Sequence, residues 1–185
     1  MTTALYATAV ALFLFAVWFV ATSNSFVRAR NKVDEAWSGV DVQLKRRHDL
    51  VPNLVETVKG YAQHERETLT AVTEARAEAV AASDPDHVAH AEAKLTSALG
   101  GIRAVAEQYP ELRASESFQH LEAQLAGLEN EIQAARRIYN ANVQAYNTRI
   151  QIFPNSLVAG RNFEARGFFE LDSPAERAVP AVAFS

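Results

Sequence analysis

Cysteine is absent from the 185 residues. Neither a disulfide framework nor a thiolate metal site is therefore possible, and the redox compartment is left open. Glycine and proline are scarce, at seven and six. No hairpin dipeptide sits between alternating apolar runs, so nothing in the chain reads as a β-sheet. A basic excess is also missing. The formal charge is −4, without the strongly basic face of a dedicated nucleic-acid binder. Charge of either sign is missing from the side chains of residues 1–27.

That last absence marks what is present. Ala4 to Ala21, ALYATAVALFLFAVWFVA, is apolar except for Thr8. As a helix it measures about 27 Å, close to the ~30 Å hydrocarbon core of a bilayer. Tyr6, Trp18 and Phe19 suit the two interfaces. A cleaved signal peptide would carry a basic n-region and a shorter apolar run. The segment therefore reads as an uncleaved single-pass anchor. Arg28, Arg30 and Lys32 follow it and no Lys or Arg precedes it. By the positive-inside rule this places the C-terminal domain in the cytoplasm. The length allows one domain beyond the anchor. The expected division is residues 1–24 as anchor, 25–171 as a helical bundle and 172–185 as a flexible tail.

The chain after the anchor is organised around Arg30 to Val58. Val33, Trp37, Val40, Leu44, Val51, Leu54 and Val58 recur in steps of four and three, with Arg47 taking the one polar turn. This is one apolar stripe on a helix that must bury it against partner helices. Pro52 interrupts the stripe. Within one rod it deprives the His48 carbonyl of its donor and bends the axis. The alternative is a new helix capped by Asp49, with Pro52 in its first turn. No glycine lies between Val40 and Lys59, and the stretch predicts a kinked or broken but collinear helix to about Ala82.

Ser83-Asp84-Pro85-Asp86 reads as a turn and helix start. Val88, Ala91, Leu95, Ala98, Ile102, Val105 and Tyr109 then form the next stripe, ended by Tyr109-Pro110. Gly100-Gly101 lies off that stripe and costs about 2 kcal/mol of helix propensity. Glu111 to Ser117 reads as a short connection. The longest pattern follows: Phe118, Leu121, Leu125, Leu128, Ile132, Ala135, Tyr139, Asn142 and Tyr146, a helix of about 52 Å. Tyr139-Asn140 and Tyr146-Asn147 repeat at seven residues, as heptad packing would produce. Asn142 occupies a seam position, where asparagine commonly sets register. From Asn155 the helical period is lost, although Leu157, Val158, Phe163, Phe168, Phe169 and Leu171 remain to dock part of the tail. The predicted fold is all-α: an N-terminal transmembrane helix followed by a long antiparallel helical bundle of coiled-coil-like hairpins. Its key seam residues are Val33, Trp37, Val40, Leu44, Leu54, Leu121, Leu125, Leu128, Ile132, Tyr139, Asn142 and Tyr146.

These stretches resemble the LemA family from Asn24 to about Glu170. The matching segments are RNKVDEAW from Arg30, VDVQLKRRHDLVPNLVETVKGYAQHE from Val40, Tyr109-Pro110-Glu111-Leu112 and Glu129-Asn130-Glu131-Ile132. Further on come Ala135-Arg136-Arg137, Tyr139-Asn140, Tyr146-Asn147 and Ile152-Phe153-Pro154. Ser23 stands where the family often has Tyr, and Arg161-Asn162 where an apolar residue and Phe-Gly are usual. The resemblance implies a bacterial membrane protein with an N-terminal span and an antiparallel bundle, without assigned catalytic residues. One branch of the family is associated with building magnetosome membranes.

The chemistry of sites points the same way. A di-metal carboxylate bundle needs Glu-x-x-His pairs. The residues three before the five histidines are Lys45, Tyr61, Asp84, His87 and Ser117. Thr68 stands where a zincin motif begun at His64-Glu65 needs its second histidine. His87-x-x-His90 lacks further placed ligands. No phosphate-cradling loop or nucleophile motif occurs. In the basic run from Lys45 to Asp49, the reading is a solvated face with Arg47 paired to an acid across the bundle. The alternative is a contact with anionic lipid or an acidic partner. The expected protein is therefore a membrane-anchored scaffold or interaction protein, not an enzyme, with no cofactor and no metal site. Its expected partners are the lipid bilayer, through Ala4 to Ala21, and a protein partner or a second copy of itself. No nucleic acid or small-molecule substrate is expected. The competing class is an enzyme or metal binder in the bundle core.

Overall fold

In the computed structural model, residues 2–160 and 162–170 are described. Six helices follow one another: α1 (Thr2–Tyr61), α2 (Arg66–Ala81), α3 (Pro85–Gln108), α4 (Pro110–Ala114), α5 (Glu116–Gln151) and α6 (Ser156–Ala159). No strand occurs among the described residues. The fold is all-α, with a long apolar N-terminal helix and a packed bundle. The expected tail, 172–185, lies outside the described residues.

The apolar run and the stripe from Arg30 belong to one unbroken helix, 60 residues long, with Pro52 inside it. Asp49 does not cap a new helix; its carboxylate pairs with Lys45 one turn back at 2.9 Å. The helix survives its proline because the freed carbonyl finds another donor. Arg76 Nε on α2 donates to the His48 carbonyl at 2.7 Å, so that no buried acceptor is stranded.

Helix continuity as far as Ala82 is not observed. The chain leaves α1 after Tyr61 and re-enters a helix at Arg66. Ala62 is fully buried in the turn, and Glu65 N–H donates to its carbonyl at 3.2 Å. Glycine is a poor interior helix residue and marks helix ends. Gly60 lies one residue past the window in which glycine was missing. The Glu111–Ser117 connection is itself partly helical, as α4, with Pro110 in its first turn.

The chain divides into two compact units. One takes the chain up to Val40 together with Ala135–Gly167; the other takes Asp41–Ala134 and the chain from Phe168. The second unit has a continuous aliphatic core that includes Val51, Leu54 and Val58 of α1, Val72 of α2, Leu95 and Ile102 of α3, Leu112 of α4 and Leu125 of α5. Each fully buried side chain of this size contributes about 1.5–3 kcal/mol. α3 runs straight through Gly100-Gly101. A Cβ on Gly101 would lie 3.2 Å from the Thr68 methyl, so the missing side chain serves the close approach of α2.

In the first unit, Trp37 packs on Tyr139 with ring centroids 5.2 Å apart, and Phe26 meets Phe163 edge-on at 5.0 Å. Residues 162–167 carry no helix, so their backbone groups are free to take side-chain partners. The Tyr139 hydroxyl donates to the Gly167 carbonyl and the Tyr146 hydroxyl to the Glu164 carbonyl, each at 3.0 Å. Asn147 closes a pair, donating to the Arg166 carbonyl at 2.9 Å and accepting from its N–H at 2.8 Å. Arg166 also reaches Asp34 at 3.1 Å. The seven-residue Tyr-Asn repeat therefore clamps a strap along α5 as well as packing its helix. Burial raises the Tyr146 pKa above the ordinary 10.0, which keeps the hydroxyl a donor.

Candidate functional site

Most predicted seam residues are covered. Val33, Val40, Leu44, Leu54, Leu125, Ile132, Tyr139 and Tyr146 are buried, and Trp37, Leu121 and Leu128 are half-buried. Asn142 departs from the prediction. It is half-buried, and its amide donates to its own helix at the Ile138 carbonyl, 3.0 Å away. Its neighbour Val143 is fully buried instead. From Tyr139 the stripe steps by four to Val143, by three to Tyr146 and by four to Ile150, so Asn142 falls to the flank.

The concentrated chemistry lies inside the second unit, where α1 meets α3. Arg47, His48 and Glu92 are 5 %, 8 % and 1 % exposed. Glu92 receives Arg47 Nη1 at 3.2 Å on one carboxylate oxygen and His48 Nε2 at 2.5 Å on the other. Arg47 Nη2 donates to the Thr96 hydroxyl at 2.8 Å, which itself donates to the Glu92 carbonyl at 2.9 Å. Glu129 of α5 adds a second acid at 3.5 Å from Arg47. No buried side-chain nitrogen or oxygen among the described residues lacks a partner.

The helical period places these groups. Arg47 and His48 lie three and four residues after Leu44, and four and three before Val51. Glu92 lies four after Val88 and three before Leu95. All three thus stand on the apolar faces of their helices. The expected pairing of Arg47 with an acid across the bundle is met by Glu92. Lys45 and Arg46 of the same run are exposed.

Such a cluster locks more readily than it reacts. A charge taken out of water is tolerated only when paired and fully hydrogen-bonded, and here both oxygens of the carboxylate are engaged. The triad joins α1 to α3, and Arg76 joins α2 to α1 at the backbone carbonyl of His48 itself. Sequence reading had Arg47 but missed His48 and Glu92. The signal was present: an acid and an imidazole on otherwise apolar stripes.

The other histidines sit elsewhere. His87 pairs with the α3 cap Asp84, and both are exposed. His90 lines a shallow surface cleft with Asp86, Phe168 and Glu170. His120 contacts Gln124 at 3.1 Å on an exposed turn. Among the described residues, no three His, Asp or Glu side chains come together to hold a metal ion.

The profile of the LemA family matches residues 36–184. The chain belongs to the LemA family. That match begins at Ala36, past the apolar run, and takes in the whole of the buried Arg47–His48–Glu92 cluster. Among curated proteins, Protein LemA of Metamycoplasma hominis is 29 % identical over 143 residues, covering 76 % of this chain and 65 % of that protein. Magnetosome protein MamQ 2 of Paramagnetospirillum magneticum is 26 % identical over 190 residues, covering 86 % and 70 %. Magnetosome protein MamQ of Magnetospirillum gryphiswaldense is 24 % identical over 157 residues, covering 71 % and 58 %. The match to the M. hominis LemA protein thus spans less than two thirds of that relative's length.

Proposed function

We propose that this LemA-family protein is a membrane-anchored helical scaffold that holds a protein partner, or a second copy of itself, at the bilayer surface. One observation carries the reading. The apolar first third of α1 is uncovered, with no residue of its most apolar 18-residue window buried, and it continues without a break into the helix that carries the bundle's core stripe. An uncovered apolar surface of this length needs lipid around it. The magnetosome relatives are named for a membrane organelle, which accords with a membrane role here. The buried cluster supports a scaffold because its groups bind each other, with both Glu92 carboxylate oxygens already engaged. The competing enzyme or metal-binding reading has only the exposed His87 and His90 behind it.

Arg28, Arg30 and Lys32, directly after the span, favour a cytoplasmic bundle in a bacterial inner membrane. A reporter active only outside the cytoplasm, fused after Ser185, should be silent; strong activity would reverse that orientation. For the scaffold reading, the tagged chain is extracted from its membranes in mild detergent and captured. A stoichiometric partner, or two differently tagged copies recovered together, is expected. A strictly monomeric chain that retains stoichiometric metal would favour the competing class.

A further inference from the structure

The protein-covered part of α1 begins abruptly. Every described residue to Ala21 is exposed except the half-buried Trp18; Thr22 is then buried and Phe26 fully so. Within this unit α5 runs antiparallel to α1. Tyr139 packs on Trp37, and ten residues later Arg149 Nη1 reaches the Ser25 carbonyl at 3.5 Å. The chain just past Arg149 therefore stands at the level of the last residues of the apolar run, about 5 Å further along the axis. That chain is apolar and uncovered. Ile152, Phe153 and Leu157 are 49 %, 79 % and 71 % exposed; Ile152 and Phe153 lie between α5 and α6 and Leu157 on the single turn of α6, which together make the turn at the end of α5. Water-soluble turns carry polar residues at such positions.

We propose that this turn is a second membrane contact, in which Phe153 and Leu157 enter the interfacial region of the bilayer beside the span. The inference rests on the anchor reading of α1. Continuity decides the occupant: the exposed apolar turn lies at the level where the exposed apolar face of the span ends. Arg28, exposed one turn above, and Arg149 supply cations at the height of lipid phosphates. Phe and Leu on the apolar side of an interfacial segment bury into the boundary between headgroups and acyl chains. Two contacts, one spanning and one resting on the surface, would restrain how the first unit leans on the membrane, which a single helix cannot do.

The absence of cysteine makes the test direct. Single-cysteine forms of the full chain, Phe19→Cys, Ala141→Cys, Phe153→Cys and Leu157→Cys, are labelled with a small environment-sensitive fluorophore. They are reconstituted into vesicles of equal phosphatidylcholine and phosphatidylglycerol, with and without lipids brominated high on the acyl chains. Phe153 and Leu157 are mostly exposed, so their replacement leaves the core intact. Labels at positions 19, 153 and 157 should be quenched by bromine, while position 141, exposed about 18 Å up α5 from Phe153, keeps its emission. Quenching at 19 without quenching at 153 and 157 overturns the proposal and leaves the anchor standing. No quenching at 19 removes the anchor and the proposal together. Equal quenching at 141 overturns it too, by putting the whole helix end in lipid. Blue-shifted but unquenched labels at 153 and 157 would mean that protein, such as a second copy, covers the turn, and would also overturn it.

Discussion

The two units solve the problem of internal cohesion with different chemistry. The unit of Asp41–Ala134 is built from helices whose backbone groups satisfy one another, so its core is aliphatic and alanine-rich. Its polar work is done by a buried polar cluster, Arg47, His48 and Glu92, with Arg76 on the carbonyl that Pro52 strands. The unit that ends with Ala135–Gly167 must hold the non-helical stretch 162–167. Its buried contacts are mainly aromatic and neutral: Trp37 on Tyr139, Phe26 on Phe163, and Tyr139, Tyr146 and Asn147 hydrogen-bonded to the strap, with one exposed ion pair, Arg166–Asp34, beside them. The lesson is that side-chain chemistry follows from what the backbone leaves unpaired. Where helices close their own ladders, ion pairs cross-link them. Where the chain is extended, long neutral donors and acceptors reach its amides.

The sharpest way to break this contrast is to remove the acid. Glu92→Ala leaves the buried Arg47 guanidinium with only the more distant, partly exposed Glu129 as counter-ion and His48 without its acceptor; breaking a buried pair costs up to about 3–5 kcal/mol. Thermal or urea unfolding of the detergent-solubilised chain should show a loss of that order. A loss below about 1 kcal/mol, the scale of an exposed pair, would place the cluster in water instead.

Smaller losses are expected from the strap. Tyr146→Phe removes one hydrogen bond, worth about 0.5–1.5 kcal/mol net, and Asn147→Ala removes two. The damage should be local. Amide hydrogen exchange should rise at Glu164–Gly167 while α3 keeps its protection. Equal acceleration in α3 would mean that the strap stabilises the whole molecule.

A pH dependence comes next. The backbone N–H of His87, with its side chain and the Asp86 N–H, holds the Asp84 pKa below the ordinary 3.8. Lowering in the folded state makes the cap's contribution complete above the unfolded pKa and lost as pH falls through the folded value. Melting of the Asp84→Asn form, which keeps a capping oxygen, should therefore depend less on pH below about 4 than that of the parent chain. Identical profiles would remove Asp84 from the acid response.

The smallest effect is expected at Pro52. Alanine there is favoured by up to ~3 kcal/mol on propensity alone, but Arg76 already satisfies the carbonyl that the new N–H would take. The gain should fall well short of that figure, and should grow when Arg76→Met is combined with Pro52→Ala. Additive effects of the two changes would show that Arg76 and Pro52 act independently.

Much of this architecture was legible in the chain. The apolar run, the stripes and the start of α3 at Asp84-Pro85 are local signals. The end of α1 was misjudged because the absence of glycine was read over a window closing at Lys59, one residue before Gly60. Asn142 was assigned to the seam because a step of three or four fits both it and Val143, and periodicity does not choose between adjacent flank positions. The Tyr-Asn repeat was visible as a repeat, but the strap it grips lacks any period of its own.

The sequence alone determined where the long helices lie and which stretch is long and apolar enough to cross a membrane, because helix period, capping and a long uncharged run depend on near neighbours along the chain. Tertiary structure decided the rest. Arg47 and His48 meet Glu92 across 45 and 44 residues, and Tyr146 finds the Glu164 carbonyl across a turn and a short helix. Those pairings follow from how helix faces come together in space, where burial makes an unpaired charge or carbonyl costly enough to select its partner.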